Sequence, residues 1–252
     1  MSAPIPPGVG QEGVSEVSQF GAAALSRVWR AFTAPAEVFR EIAARPTWVW
    51  PLVVMIVLSV ASQLVIAPRI DFDATIRQSM EQSSSGRQLT EEQMDKAVSV
   101  AKKVAGVTMY VSPLGVPVLY LLIGGLYFLL LKLVGSDTEY GRVFSGVMHA
   151  MLPADIVKSV LLTVVAWRKE SFVATDLETM LRSNLAAWLP DTAPKATIAL
   201  GGVLDVFNVW KWILLVLALE IIGRVERKKA IGIVATVWGV WALALMALRA
   251  LR

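Results

Sequence analysis

Two long apolar stretches between residues 143 and 222 carry charges of opposite sign at matching depths. The first, VFSGVMHAMLPADIVKSVLLTVVAW, holds Asp155 and Lys158 near its middle. The second, ALGGVLDVFNVWKWILLVLALEII, holds Asp205, Asn208, Lys211 and Glu220. A charge inside a bilayer is costly unless it is paired or hydrated. Charges this deep are expected to face one another or a wet cavity. The chain therefore reads as a multi-span membrane protein with a polar interior.

Composition agrees. Of 252 residues, 56% are hydrophobic, and the mean hydropathy is +0.60. Soluble domains run at about 45–50% apolar. Net charge is +4. The basic residues cluster at span ends, where insertion bias and anionic lipid account for them, so nucleic acid is not an expected partner. The absence of cysteine removes disulfides, thiolate metal sites and cysteine nucleophiles. The opening MSAPIPPGVGQEG lacks the basic and apolar regions of a cleavable signal peptide.

Along the chain, residues 1–17 are Pro/Gly/Ser-rich and are expected to be disordered. Residues 18–45 read as two amphipathic helices bearing Arg27 and Arg30, with Thr33 capping the second and Pro35 in its first turn. Such helices either lie on the membrane surface or pack on the end of the bundle. The remainder, 46–248, reads as one domain of five spans, at about 48–67, 108–131, 143–167, 199–222 and 230–248. The expected class is all-α: a bundle of five transmembrane helices with amphipathic interfacial helices.

Two long loops separate these spans. In the first, Thr90-Glu91-Glu92-Gln93 is a capping box, predicting an extra-membrane helix that runs into the second span. Pro113 and Pro117 are expected to kink that span or delay its start. In the second loop, Thr175 to Glu178 reads as another capping box, with an interfacial helix ending at Pro190. Gly124-Gly125 predicts close approach of a neighbouring helix, and Trp238 and Trp241 are expected to pack internally. Glycine-rich faces on the second and fifth spans suit homo-oligomerisation and internal packing equally well.

The short link containing Arg224, Arg227, Lys228 and Lys229 predicts a cytoplasmic side for itself and for the N-terminus. Lys102-Lys103 and Arg249 point the other way.

Within each span the charges share a face: Asp155 with Lys158, and Asp205 with Asn208 and Lys211. Depth predicts that Asp155 meets Lys211, and that Lys158 meets Asn208 or Asp205. Such pairs serve either as a structural staple fixing register or as a hydrated site for an ion, proton or lipid headgroup. Pro153 frees a carbonyl beside Asp155. No metal site or cofactor is expected, because His149 is the only histidine and no phosphate loop is present. Ser145 and His149 are four apart and can touch, yet no Gly-x-Ser motif accompanies them. No catalytic set is found, so the chain reads as a non-enzyme.

Three segments together resemble the YIP-one domain family, the Ypt/Rab-GTPase-interacting membrane proteins and their bacterial relatives. FTAPAEVFREIAARPTWVWPLV is similar to the bacterial branch's Phe-x-x-Pro-x-x-x-Phe opening and Trp/Pro span start. EYGRVFSGVMHAMLPADIVKSVL is similar to its central Leu-Pro helix, and LDVFNVWKWILLVLALEII followed by RKKAIGIVATVW to its closing helices. The resemblance covers about residues 31–248. It implies five spans, a cytoplasmic N-terminus and a multi-pass protein of the bacterial inner membrane. The chain lacks the Asp-Leu-Tyr-Gly-Pro motif of the eukaryotic members, so GTPase binding is not carried over. The expected role is organising or regulating a membrane protein partner or lipid environment. The alternative is a transporter or ion/lipid-handling component using Asp155, Lys158, Asp205 and Lys211.

Overall fold

Every regular element is a helix among the residues that the computed structural model describes, which are 23, 25–83, 90–190 and 192–250. The tail expected over 1–17 and the start of the amphipathic segment lie outside them. Among the described residues, five helices are long and apolar enough to cross a membrane: Val49–Arg69, Leu114–Leu133, Tyr140–Trp167, Val206–Gly223 and Arg227–Leu248.

The chain enters through a hairpin of α1 (residues 25–33) and α2 (Pro35–Ala44). Pro35 pre-sets the first turn of α2. Its N-cap is Ala34, not Thr33, because Ala34 N still donates to Arg30 O at 2.8 Å and so closes α1. Val38, Phe39 and Ile42 share one face of α2 and are fully buried in the core cluster with residues of α6 and α8. The hairpin packs along α8 and α6, with Phe32 edge-on to Trp210 at 6.0 Å. Leu25 and Trp29 point outward.

Ion pairs clamp the hairpin. Arg27 meets Glu41 at 3.0 Å, and Arg30 meets Glu41 at 2.7 Å and Glu37 at 3.0 Å. Burial raises the Glu41 carboxyl, but hydrogen bonds from Arg30 and Arg27 outweigh it and hold the group below its ordinary value. The hairpin is tied to the bundle at Thr47, whose N and O both bond to Ser145 Oγ, at 2.9 and 2.7 Å.

Helix α3 (Val49–Ile66) begins with Pro51 in its first turn. Helix α4 (Phe72–Ser83) follows and lies against α5 (Glu91–Leu133). The Thr90 capping box forms as the sequence predicts. α5 is one helix of 43 residues running through both Pro113 and Pro117. Its start is fixed far upstream by the cap, so each proline costs one internal hydrogen bond without ending the ladder. At about 1.5 Å per residue it is about 65 Å long, roughly twice a bilayer core.

α6 (Tyr140–Trp167) is the central element, packed between α3, α5 and α8. Close approach requires Gly124, where an added Cβ would lie 2.8 Å from Phe144 Cδ2. Gly125 faces no such contact. Helices α7 (Lys195–Val203), α8 (Val206–Gly223) and α9 (Arg227–Ala250) complete the fold. On α9, Trp238 packs edge-on against Trp212 at 5.6 Å, whereas Trp241 is exposed, in contrast to the expectation that both pack inside.

The second loop departs from its expected helix. It forms two short 3-10 turns, Ala174–Glu178 and Leu185–Trp188. The Thr175 hydroxyl bonds to Gln78 at 3.1 Å instead of capping a helix. Arg182 adopts a left-handed φ of 50°, and Trp188 Nε1 donates back to Arg182 O at 3.2 Å. The chain reverses there because its polar groups find partners elsewhere in the fold.

Candidate functional site: a charge ladder beside an apolar cleft

The ladder starts on α6. Asp155 forms an ion pair with Lys211 of α8 and accepts a hydrogen bond from Tyr120 OH of α5 at 2.6 Å. Both charged side chains are largely buried, at 16% and 11% exposure. A turn along, Lys158 Nζ donates to Asp205 Oδ2 at 2.8 Å. Asp205 is fully buried, whereas Lys158 is 36% exposed and lies 5.9 Å from the Phe207 ring centre.

Asp205 does more than neutralise Lys158. Its Oδ1 accepts from Phe207 N at 2.8 Å, capping α8, and its Oδ2 accepts from Ser183 Oγ at 3.0 Å. The stretch expected as one span over 199–222 is consequently two helices, broken at Leu204 and Asp205. A carboxylate that captures a backbone N–H two residues on favours a cap over a helix interior. The broken backbone is satisfied from the second loop: Leu185 N donates to Leu204 O at 3.1 Å and Val206 N to Ser183 O at 3.0 Å. Irregular backbone at such depth requires this kind of internal partnering.

Asn208 does not join the ladder. Its Nδ2 donates to Val203 O at 3.0 Å, closing the end of α7. Of the two partners considered for Lys158, Asp205 is the one that meets it. The five residues Asp155, Lys158, Asp205, Asn208 and Lys211 thus divide into two ion pairs and one helix-end ligand.

Sequence reasoning did not find Tyr120 or Ser183, which complete the two carboxylates. Tyr120 was discoverable as one of two hydroxyls, with Tyr127, in the apolar run of α5. Ser183 was not, because only the loop reversal brings it to Asp205. Ser145 and His149 do touch, but as a backbone contact: His149 Nδ1 lies 2.8 Å from Ser145 O. The Ser145 hydroxyl is committed to Thr47, so the two side chains form no nucleophile–base pair.

Asp155 and Lys158 border a cleft of about 1380 Å³ between α3, α4, α5 and α6. Its walls are mostly apolar, including Met55, Ile66, Phe72 and Leu119. A short polar strip runs beside the ladder, where Ser62 and Ser159 hydroxyls meet at 2.8 Å and Thr163 donates to Ser62 at 2.9 Å. The cleft begins beside Asp155 and continues past the end of the α3 span to Ile76 of α4. It exceeds the roughly 300–1,000 Å³ of a drug-sized pocket. Among the described residues, no group of His, Cys, Asp and Glu is arranged to hold a metal.

No curated protein and no solved structure matches the chain. The sequence model of the Yip1 domain does match, over residues 29–248. This stretch takes in α2 and the second half of α1, the five apolar helices and both ion pairs of the ladder. The chain belongs to the Yip1 domain family.

Proposed function

We propose that this protein is a non-enzymatic, multi-pass membrane protein that organises or regulates its lipid environment or a membrane protein partner. The observation that carries the reading is the apolar cleft, which is lipid-sized and lies beside spans α3, α5 and α6. Both ladder pairs are closed on themselves, which supports a staple holding the cleft walls rather than a translocation site. The short connections near the hairpin carry Lys132, Arg142, Arg224, Arg227, Lys228 and Lys229. Their charge supports a cytoplasmic position for that end and for the hairpin, in a bacterial inner membrane.

The test is native mass spectrometry of protein extracted in mild detergent, beside a Ser159→Trp variant that fills the cleft. Retention of a defined lipid by the natural chain and its loss from the variant supports the reading. Equal lipid on both, or none on either together with no stoichiometric protein partner, overturns it.

A further inference from the structure

α5 is longer than the membrane requires. Only its Leu114–Leu133 part has span character, so residues 91–113 run about 35 Å beyond it. One side of this arm is taken by α4: Val98 is buried, Lys102 pairs with Asp73, and Arg77 meets Asp95 at 2.7 Å. Another side is bare. Val100, Val104, Val107, Val111, Leu114 and Val118 are all between 53% and 70% exposed.

Their spacing alternates four and three without a break. That is a period of 3.5, not the 3.6 of a straight helix, which drifts by about 20° per heptad. A stripe that only faces lipid has no reason to hold this period, nor to continue outside the span. A strict seven-residue repeat marks the seam of two supercoiled helices. Val104, Val111 and Val118 occupy one seam position, and Val100, Val107 and Leu114 the other. Both positions are filled by apolar residues that can serve as knobs, as a helix–helix seam requires. A row of this length also exceeds the scattered apolar residues of an ordinary surface.

We propose that α5 pairs with α5 of a second copy of this chain, as a parallel, in-register coiled coil that starts outside the bilayer and enters it. Copies inserted with the same orientation must run parallel. A two-fold axis then sets each seam residue against its own counterpart. Val100 and Val104 also border the cleft, so the partner forms a further wall along its outer part. The pairing does not require the cleft to hold lipid.

The natural chain has no cysteine, which makes the test direct. Single cysteines are placed in the full chain at Val100, Val104, Val107 and Val111, and off the seam at Ser99 and Gly106. Membranes are then oxidised without extraction. Disulfide-linked dimers at the four seam positions, at least about tenfold above the two others, are expected. Val104→Glu, at an exposed site that leaves the fold intact, weakens dimerisation by about tenfold or more. Flat cross-linking across the six positions, cross-links to a different protein only, or a monomer mass in nanodiscs overturns the proposal. Labelling of the seam cysteines by lipid-borne probes without dimers also overturns it, and assigns the stripe to the membrane surface.

Discussion

Lys158 Nζ lies 2.8 Å from Asp205 Oδ2, and the same buried carboxylate caps α8 through Phe207 N at 2.8 Å. One side chain thus joins α6 to α8 and sets where α8 begins. The two tasks separate by substitution. Asparagine caps nearly as well as aspartate but carries no charge. Asp205→Asn should therefore be the milder change, since Lys158 is 36% exposed and can rehydrate through the cleft. Asp205→Ala also loses the cap and should cost a further ~1 kcal/mol. Unfolding of the purified protein in detergent gives the order. Equal losses for the two variants would mean that the cap contributes nothing.

Asp155 and Lys211 offer a cleaner measure of a staple. Lys211→Met leaves a largely buried carboxylate with Tyr120 alone and should destabilise by about 3–5 kcal/mol. The double variant Asp155→Asn/Lys211→Met should be more stable than the sum of its single losses predicts, by at least about 1 kcal/mol. Additive losses in this cycle would show that the two groups are not coupled. Tyr120→Phe, which removes one hydrogen bond to a charged group, should cost about 1.5–3 kcal/mol.

The glycines sort by what surrounds them. At Gly124 an added methyl would press on Phe144 at 2.8 Å, so Gly124→Ala should destabilise by about 1–3 kcal/mol. Gly232 and Gly239 of α9 have nothing within 4 Å, so alanine there should be neutral or stabilising by up to about 1 kcal/mol. Thermal unfolding of the three variants side by side checks this. A large loss at Gly239 would reveal a neighbour that the isolated chain lacks.

Much of this architecture was legible because the bilayer makes sequence explicit. Long apolar runs gave the spans, and Asp155 and Lys211 found each other by depth alone, since an unpaired charge has nowhere else to go. Thr90 fixed the start of α5 by a local rule. The readings that failed were those in which a distant group outbid a local signal. Thr175 has capping chemistry, but Gln78 of α4 takes its hydroxyl. The 199–222 stretch is apolar enough to run unbroken, yet Asp205 caps a new helix because Ser183 and Lys158 hold it in place. The cleft left no trace in the sequence, because it is a space between four helices and its lining is ordinary apolar surface.

The α1–α2 clamp predicts an acid-sensitive hairpin. Glu41 titrates below its ordinary value, because hydrogen bonds from Arg30 and Arg27 outweigh the burial that opposes them. A carboxyl lowered by folding stabilises the hairpin fully above its unfolded value of about 4.3 and loses that contribution as pH falls through the folded one. Arg30 is raised and stays charged throughout, so it adds no slope here. Spin labels on cysteines at the exposed positions Leu25 and Arg40 should report a narrow distance distribution at neutral pH that broadens below about pH 4. In Glu41→Gln the distribution should be broad already at neutral pH and should change less on acidification. A distribution that stays narrow in this variant at every pH would show that Val38, Phe39 and Ile42 hold the hairpin without help from the ion pairs.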